Sequence, residues 1–333
     1  MNSSKTINIT GYEKALKGGV FYPQDEAGYL IIEGPDQIDF LQRQTSNDLN
    51  LLTRDRSLVS VLLNPAARIL DVLRLIKTED ALGMLTLPGH AVETSRFLQS
   101  RIFFMDKVNL ADQSPNYMQI DVLGPEAPLI LERLGFSDLP GEDEIASTHI
   151  GGSLVQAIGQ RGFEKLSFRL LTPSKASLEM LSALRDTNAE AISEDIHHVL
   201  RIEAGLPAGG SELTGDYTPL EAGLADVVST TKGCYPGQEV IARQINYDKI
   251  TRSMVGLILE GPVEAGARVS AQGKAQGMVT SYANSPRFGS IALGIIKRPF
   301  NQSGMKVMVP ELGGDRERPA QVTSLPFGPN IPA

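Results

Sequence analysis

The chain has 333 residues, 41% of them apolar and 21% charged, with a formal net charge of −8. That length asks for two or three domains and allows a sizeable core. The acidic balance disfavours non-specific attraction to phosphate backbones, so direct nucleic-acid binding is not expected. One cysteine excludes an intramolecular disulfide and suits a reducing compartment. Met1 to Thr10 are polar, and no apolar run approaches the roughly 20 residues that span a bilayer, so a cytoplasmic protein with no membrane partner is the expectation.

In chain order, Tyr29–Glu33 reads as a strand. Gly34-Pro35-Asp36 then opens a helix, with Ile38, Phe40 and Leu41 at helical spacing. The same pattern returns at Met118–Leu123, Gly124-Pro125-Glu126, and Leu129, Ile130 and Leu134, which suggests a duplicated strand–helix unit. Between the two, Leu58–Leu63 and Ile69–Ile76 flank the turn signal Asn64-Pro65 and read as a hairpin. Helical spacing is expected over Val92–Ile102, and again over Ser174–Arg185 with Leu178, Leu181 and Leu184 on one face. From Arg252 onward the pattern changes to short β-like runs: Met254–Leu259, Arg268–Ala271, Gly277–Tyr282, Ile291–Ile296 and Lys306–Val309. Glycine and proline punctuate them, as in a small β-barrel. The boundary is placed at residue 250, giving 1–250 and 251–333. The tail Phe327–Ala333 shows no regular pattern and is expected to be mobile.

The only cysteine stands in Lys232-Gly233-Cys234-Tyr235-Pro236-Gly237-Gln238-Glu239. Pro236-Gly237 is a turn signal, and Val240, Ile241, Gln244 and Ile245 that follow have helical spacing. Cys234 therefore precedes a helix N-terminus and has Lys232 two residues away. Both features favour thiolate over thiol. A small buried hydrophobe is the other reading of a free cysteine.

This peptide is similar to the signature of the YgfZ family, a branch of the GcvT-like folate-binding superfamily. Pro219–Leu224 upstream and Val240–Arg243 downstream resemble the family too, and Gly34–Leu49 looks like the superfamily's opening segment. The resemblance implies an α+β fold, with a GcvT-like N-terminal region of two intertwined ferredoxin-like α+β subdomains and a C-terminal β-barrel. It implies tetrahydrofolate or a derivative as cofactor. It also implies a role in assembling or repairing iron–sulfur proteins such as tRNA-modifying enzymes. Carried onto this chain, the functional thiol is Cys234 with Lys232 beside it, and Tyr235, Gln238 and Arg243 belong to the cofactor-binding set.

The segment Glu194–Ala204 reads as a helix with Ile196, Val199 and Leu200 on one face. Glu203 falls on that same face in the last turn, before Gly205 and Pro207 end the helix. A carboxylate at the negative end of a helix dipole and on the apolar side needs a partner. A structural pair with an arginine, a frayed helix end and a ligand site all satisfy the pattern. Arg201–Pro207 resembles the superfamily motif whose glutamate holds the pterin, which implies Glu203 as folate anchor, with His197 as a wall residue of that cavity. A carboxylate can accept two parallel bonds from the 2-amino group and ring N–H of a pterin.

The chain departs from the superfamily's aminomethyltransferases, which carry paired aspartates in the hairpin. Asp71 matches the first and Val72 replaces the second, and valine can neither take a proton nor polarise an amine. The loop at Arg161-Gly162-Phe163-Glu164 is also short. Asp71 is kept as a candidate catalytic residue. Four histidines and one cysteine show no metal-ligand spacing, so no resident metal is expected. Cys234 could act only as one transient cluster ligand. Two rivals remain: a folate-dependent aminomethyltransferase of glycine-cleavage T-protein type, and a non-catalytic adaptor for iron–sulfur apoproteins.

Overall fold

The computed structural model describes residues 9–162, 166–314 and 316–328. The first eight residues, Phe163 and Glu164 of the short loop, and the last five residues of the tail lie outside the described residues. Among the described residues no helix is long and apolar enough to cross a membrane. The chain divides into two compact units: Met1–Leu62, Asp71–His197 and Thr231–Tyr235 form the first, and Leu63–Leu70, His198–Thr230 and Pro236–Ala333 the second.

Two sheets build the first unit. One has five strands in the order Leu58–Leu63, Ile69–Lys77, Ala81–Thr86, Gly28–Glu33, Asn109–Asp112. The other has six, in the order Glu190–Ala191, Val20–Pro23, Tyr117–Leu123, Leu166–Pro173, Ser153–Arg161, Ile145–Ile150. Strand side chains alternate between faces, and here both faces of the six-stranded sheet are used. Ile120, Val122, Phe168 and Leu170 pack with Ile130 and Leu131 of helix Ala127–Arg133 and with Met180 and Leu184 of helix Ser177–Asp186. On the opposite face, Ile158 and Leu171 join Tyr29, Ile76 and Leu85 of the five-stranded sheet. The expected inward role of Leu178 is not met. It is 79% exposed, because the helix starts at Ser177 and turns Met180 and Leu184 to the core.

The repeated Gly-Pro-acid pattern folds the same way twice. Gly34 and Gly124 take φ of 112° and 100°, and the following helices start at Gln37 and Ala127. A side chain is excluded at both. A Cβ on Gly34 would lie 2.1 Å from the Lys107 carbonyl oxygen, and one on Gly124 2.5 Å from that of Gly18. Glycine is thus required by backbone conformation and by close approach together.

In the second unit the strands Arg252–Leu259, Gly289–Lys297, Lys274–Ser285, Arg268–Ala271, Lys306–Pro310 and Glu317–Thr323 close into a barrel in that order. Leu257, Val269, Val279, Ala292, Ile296, Val307 and Val322 fill it. The sixth strand escapes the sequence pattern because only Ala320 and Val322 of Glu317–Thr323 are buried.

Candidate functional site

The peptide 232–235 lies in the first unit. The geometry there gives the Lys232 ammonium a structural task. It donates to the carbonyl oxygens of Gln42, Thr45 and Asn47 at 2.6, 2.7 and 2.8 Å. It also sits 5.3 Å from the ring centroid of Tyr235. Three converging carbonyls take up the three donors of an ammonium. Lys232 is buried, and that burial pushes its pKa down to about 8, against the pull of the Asp48 charge. Tyr235 is buried as well, which pushes its hydroxyl up to about 12. Cys234, between these two inward side chains, is exposed.

In the second unit, Gly237 has φ +81 and precedes helix Gln238–Asn246. A Cβ there would lie 2.7 Å from Cα of Ala67 and 2.9 Å from the Asn64 carbonyl oxygen, so the position accepts only glycine. Gln238 opens that helix. Arg243 pairs with Glu239 one turn earlier, and both side chains are largely exposed. An exposed pair of this kind contributes little to stability, and its geometry gives Arg243 no buried, ligand-directed posture. The flanking Glu221 is a structural pin. It accepts from Arg252 Nε at 2.7 Å and from the Thr218 backbone N–H at 2.9 Å.

Asp71 is fully buried in the first unit. Its Oδ1 accepts from the backbone N–H groups of Val72 and Leu87 at 2.8 and 3.0 Å, and Oδ2 accepts from the Thr94 hydroxyl at 2.5 Å. Burial pushes its pKa up to about 6, while these bonds and the nearby His90 oppose the rise. In this arrangement the carboxylate joins the strand Ile69–Lys77 to helix Ala91–Gln99.

Helix Glu194–Glu203 buries Ile196, Val199, Leu200 and Glu203, the face expected from the pattern. Gly205, at φ +69, ends it. In the second unit the Ser285 hydroxyl donates to Glu203 Oε1 at 2.5 Å, and itself accepts from the backbone N–H groups of Arg287 and Phe288, both at 3.0 Å. Glu203 is thereby a buried carboxylate that accepts from a hydroxyl. Arg201 pairs with Glu212 at 3.3 Å and donates to Ser281 at 2.7 Å.

His197 belongs to a polar cluster in the first unit that sequence reasoning missed. Asp121 sits directly opposite Arg169 on one neighbouring strand and Tyr22 on the other. It accepts from Arg169 Nε and Nη2 at 2.8 and 3.0 Å, from Gln160 at 2.9 Å, and from Gln24. His197 Nε2 lies 3.5 Å from Asp121 Oδ2, and its ring stacks on Tyr22 at 4.3 Å. Burial would push the Asp121 carboxyl up. The Arg169 guanidinium and His197 outweigh that and hold it well below the usual carboxylate range. The available signal was the alternation of Gln119 and Asp121 with Met118, Ile120 and Val122. That pattern reads as a strand with a wet face, whereas the fold buries both sides.

A two-sheet α+β unit with a closed six-stranded barrel defines the fold class, and comparison with known proteins places it. Residues 20–232 match the GCVT N-terminal domain, and residues 252–328 match the glycine cleavage T-protein C-terminal barrel domain. The chain therefore belongs to the glycine cleavage T-protein family. It is 30% identical over 288 residues to a chloroplastic protein of Arabidopsis thaliana whose transferase name is itself provisional, covering 85% of this chain and 66% of that one. It is 28% identical to an aminomethyltransferase of a Geobacillus species, covering 97% and 94% of the two chains. It is 30% identical to the aminomethyltransferase of Moorella thermoacetica, covering 90% and 84%. The structure of glycine cleavage system aminomethyltransferase T from Bartonella henselae superposes with a TM-score of 0.85 over 96% of this chain and 89% of that one, at 23% identity, a likeness of fold.

Proposed function

We propose that this protein binds a reduced folate, tetrahydrofolate or a derivative, and handles a one-carbon unit carried on it. The observation that carries this reading is Glu203. It is a carboxylate 6% exposed on an otherwise apolar helix face, held by a hydroxyl that itself receives two backbone N–H groups. That posture suits an acceptor for the paired N–H groups of a pterin, since a carboxylate offers two oxygens to two parallel N–H donors. When bound, the folate supplies a nitrogen that accepts or releases the one-carbon group. The chain's own task is to orient the ring and limit water.

Two finer readings follow, and different observations favour each. The names of the relatives support aminomethyl transfer of the glycine-cleavage type. Against this stands the hairpin, where Asp71 is consumed by three hydrogen bonds and Val72 occupies the next position. The second reading is the YgfZ-type role, support of iron–sulfur proteins such as tRNA-modifying enzymes, with Cys234 as the working thiol. It is supported by the division of labour in the motif. Lys232, Tyr235 and Gly237 are each held inward by packing or hydrogen bonding, and Cys234 is presented outward. An adaptor role without chemistry keeps the same fold and dispenses with the thiol.

The test is a transfer assay with an aminomethyl-loaded carrier protein and tetrahydrofolate, run beside growth complementation by wild type and Cys234→Ser. Formation of methylenetetrahydrofolate at a catalytic rate establishes the transferase reading. No turnover, with complementation lost in Cys234→Ser, establishes the thiol reading. No turnover with complementation retained leaves the adaptor.

A further inference from the structure

In the first unit, the turn Phe103–Asp106 holds three consecutive apolar side chains in water. Phe103, Phe104 and Met105 are 64%, 98% and 70% exposed. A run of this kind on a protein surface calls for something to cover it. The exposure is built into the turn. The Asp106 carboxylate accepts from the Phe103 backbone N–H at 2.9 Å, and the Asp106 N–H donates back to the Phe103 carbonyl at 2.9 Å. Arg43 donates to the same carboxylate at 2.7 Å, and Asp36 accepts from the Lys107 backbone N–H at 2.8 Å. Cations flank the tip in the chain. Arg96, Arg101 and Lys107 are exposed and make no ion pair among the described residues. From Arg96 to Lys107 the only anion is Asp106, and Arg43 answers its charge.

We propose that this turn docks the protein on an anionic lipid surface. Phe103, Phe104 and Met105 enter the boundary between headgroups and acyl chains, and Arg96, Arg101 and Lys107 meet lipid phosphates. Peripheral attachment needs no spanning segment, so the lack of a spanning helix among the described residues is no obstacle. A side chain 98% exposed stands clear of its own protein. A fluid interface accepts such a convex tip without shape complementarity, whereas a protein partner would have to supply a matching acidic pocket. The net charge of −8 orients the approach. An anionic surface repels the rest of the chain and attracts this basic, apolar turn. Apolar insertion and phosphate pairing are two weak signals that together give reversible attachment.

The experiment is co-sedimentation of the full chain with vesicles of phosphatidylcholine alone and of phosphatidylcholine carrying about one-third phosphatidylglycerol. The proteins are wild type, Phe103→Ser with Phe104→Ser, and Arg101→Gln with Lys107→Gln. The proposal expects wild type to sediment with the anionic vesicles and not with the neutral ones. Each double variant should lose roughly ten-fold or more in partition. Their melting temperatures should stay at the wild-type value, because all four side chains are exposed. The chain has no tryptophan, so Phe104→Trp places a single indole at the tip. Its emission should shift to the blue on anionic vesicles. Equal partition of wild type to the two vesicles, a double variant that partitions as well as wild type, or an unshifted indole overturns the proposal. Wild type that binds neither vesicle also overturns it, and leaves the turn to a protein partner with an acidic pocket.

Discussion

The Lys232 ammonium stands 2.8 Å from the carbonyl oxygen of Asn47, and this bond, with its counterparts at Gln42 and Thr45, gives the lysine of the cysteine peptide a structural task. Three backbone carbonyls at the end of helix Gln37–Gln44 and in the turn after it converge on one tetrahedral donor. Lys232→Met is expected to destabilise the fold by about 1.5–3 kcal/mol for the loss of hydrogen bonds to a charged group. Lys232→Arg is expected to restore little of it, because a planar guanidinium cannot meet three carbonyls arranged for an ammonium. Denaturant midpoints at one pH measure both.

Cys234 carries no such task. Cys234→Ser should change stability by less than about 0.5 kcal/mol, and the wild-type thiol should react fully with a chromogenic disulfide reagent under native conditions. Slow or incomplete native labelling, rising only on unfolding, would contradict the exposure of the thiol.

Asp121 and Arg169 should show strong coupling. Removing one partner of a buried ion pair leaves the other uncompensated, so Arg169→Met is expected to cost about 3–5 kcal/mol. The double variant Asp121→Asn with Arg169→Met should recover much of that loss. The Asp121 carboxyl is held below its ordinary range, so its contribution is present above the unfolded-state value and diminishes only as pH falls through the acid range. A double-mutant cycle by chemical denaturation at neutral pH reads the coupling.

Asp71 has the opposite sign. Its folded-state pKa is pushed up to about 6, so the folded protein holds a proton that the unfolded chain releases above its own, lower value. The stabilising contribution is complete below the unfolded pKa and is lost as pH rises through about 6. Asp71→Asn keeps an oxygen for the Val72 and Leu87 N–H groups and offers a donor to the Thr94 hydroxyl. It should therefore fold and show a flatter dependence of stability on pH between 4 and 6, a change on the order of 1–3 kcal/mol. Denaturation midpoints of wild type and variant across that window decide the matter.

Much of the fold was legible where local chemistry alone determines it. The two Gly-Pro-acid turns, the hairpin around Asn64, the face of helix Glu194–Glu203 and five of the six barrel strands all follow from spacing and from glycine's conformational freedom. The strand Glu317–Thr323 was hidden because its charged first half lies on the outside of the barrel. The site was less legible. Asp71 and Lys232 were rightly singled out as unusual, but whether an ionic group faces a ligand or a backbone carbonyl depends on residues distant in the chain. Gln42 and Asn47 stand some 190 positions before Lys232. The Asp121 cluster was missed for the same reason: its partners come from four separate segments, and no local pattern links Tyr22, Gln160, Arg169 and His197.

The central claim is that Glu203 receives a reduced folate. The direct measurement is calorimetric binding of tetrahydrofolate to wild type, Glu203→Gln and Cys234→Ala at one pH and salt concentration. Gln at 203 can still accept from the Ser285 hydroxyl, so the fold should stand while the carboxylate is lost. The account predicts binding by wild type and Cys234→Ala, and binding by Glu203→Gln weaker by ten-fold or more, corresponding to about 1.4 kcal/mol or above. Equal affinity of wild type and Glu203→Gln, or no binding by wild type, would contradict it.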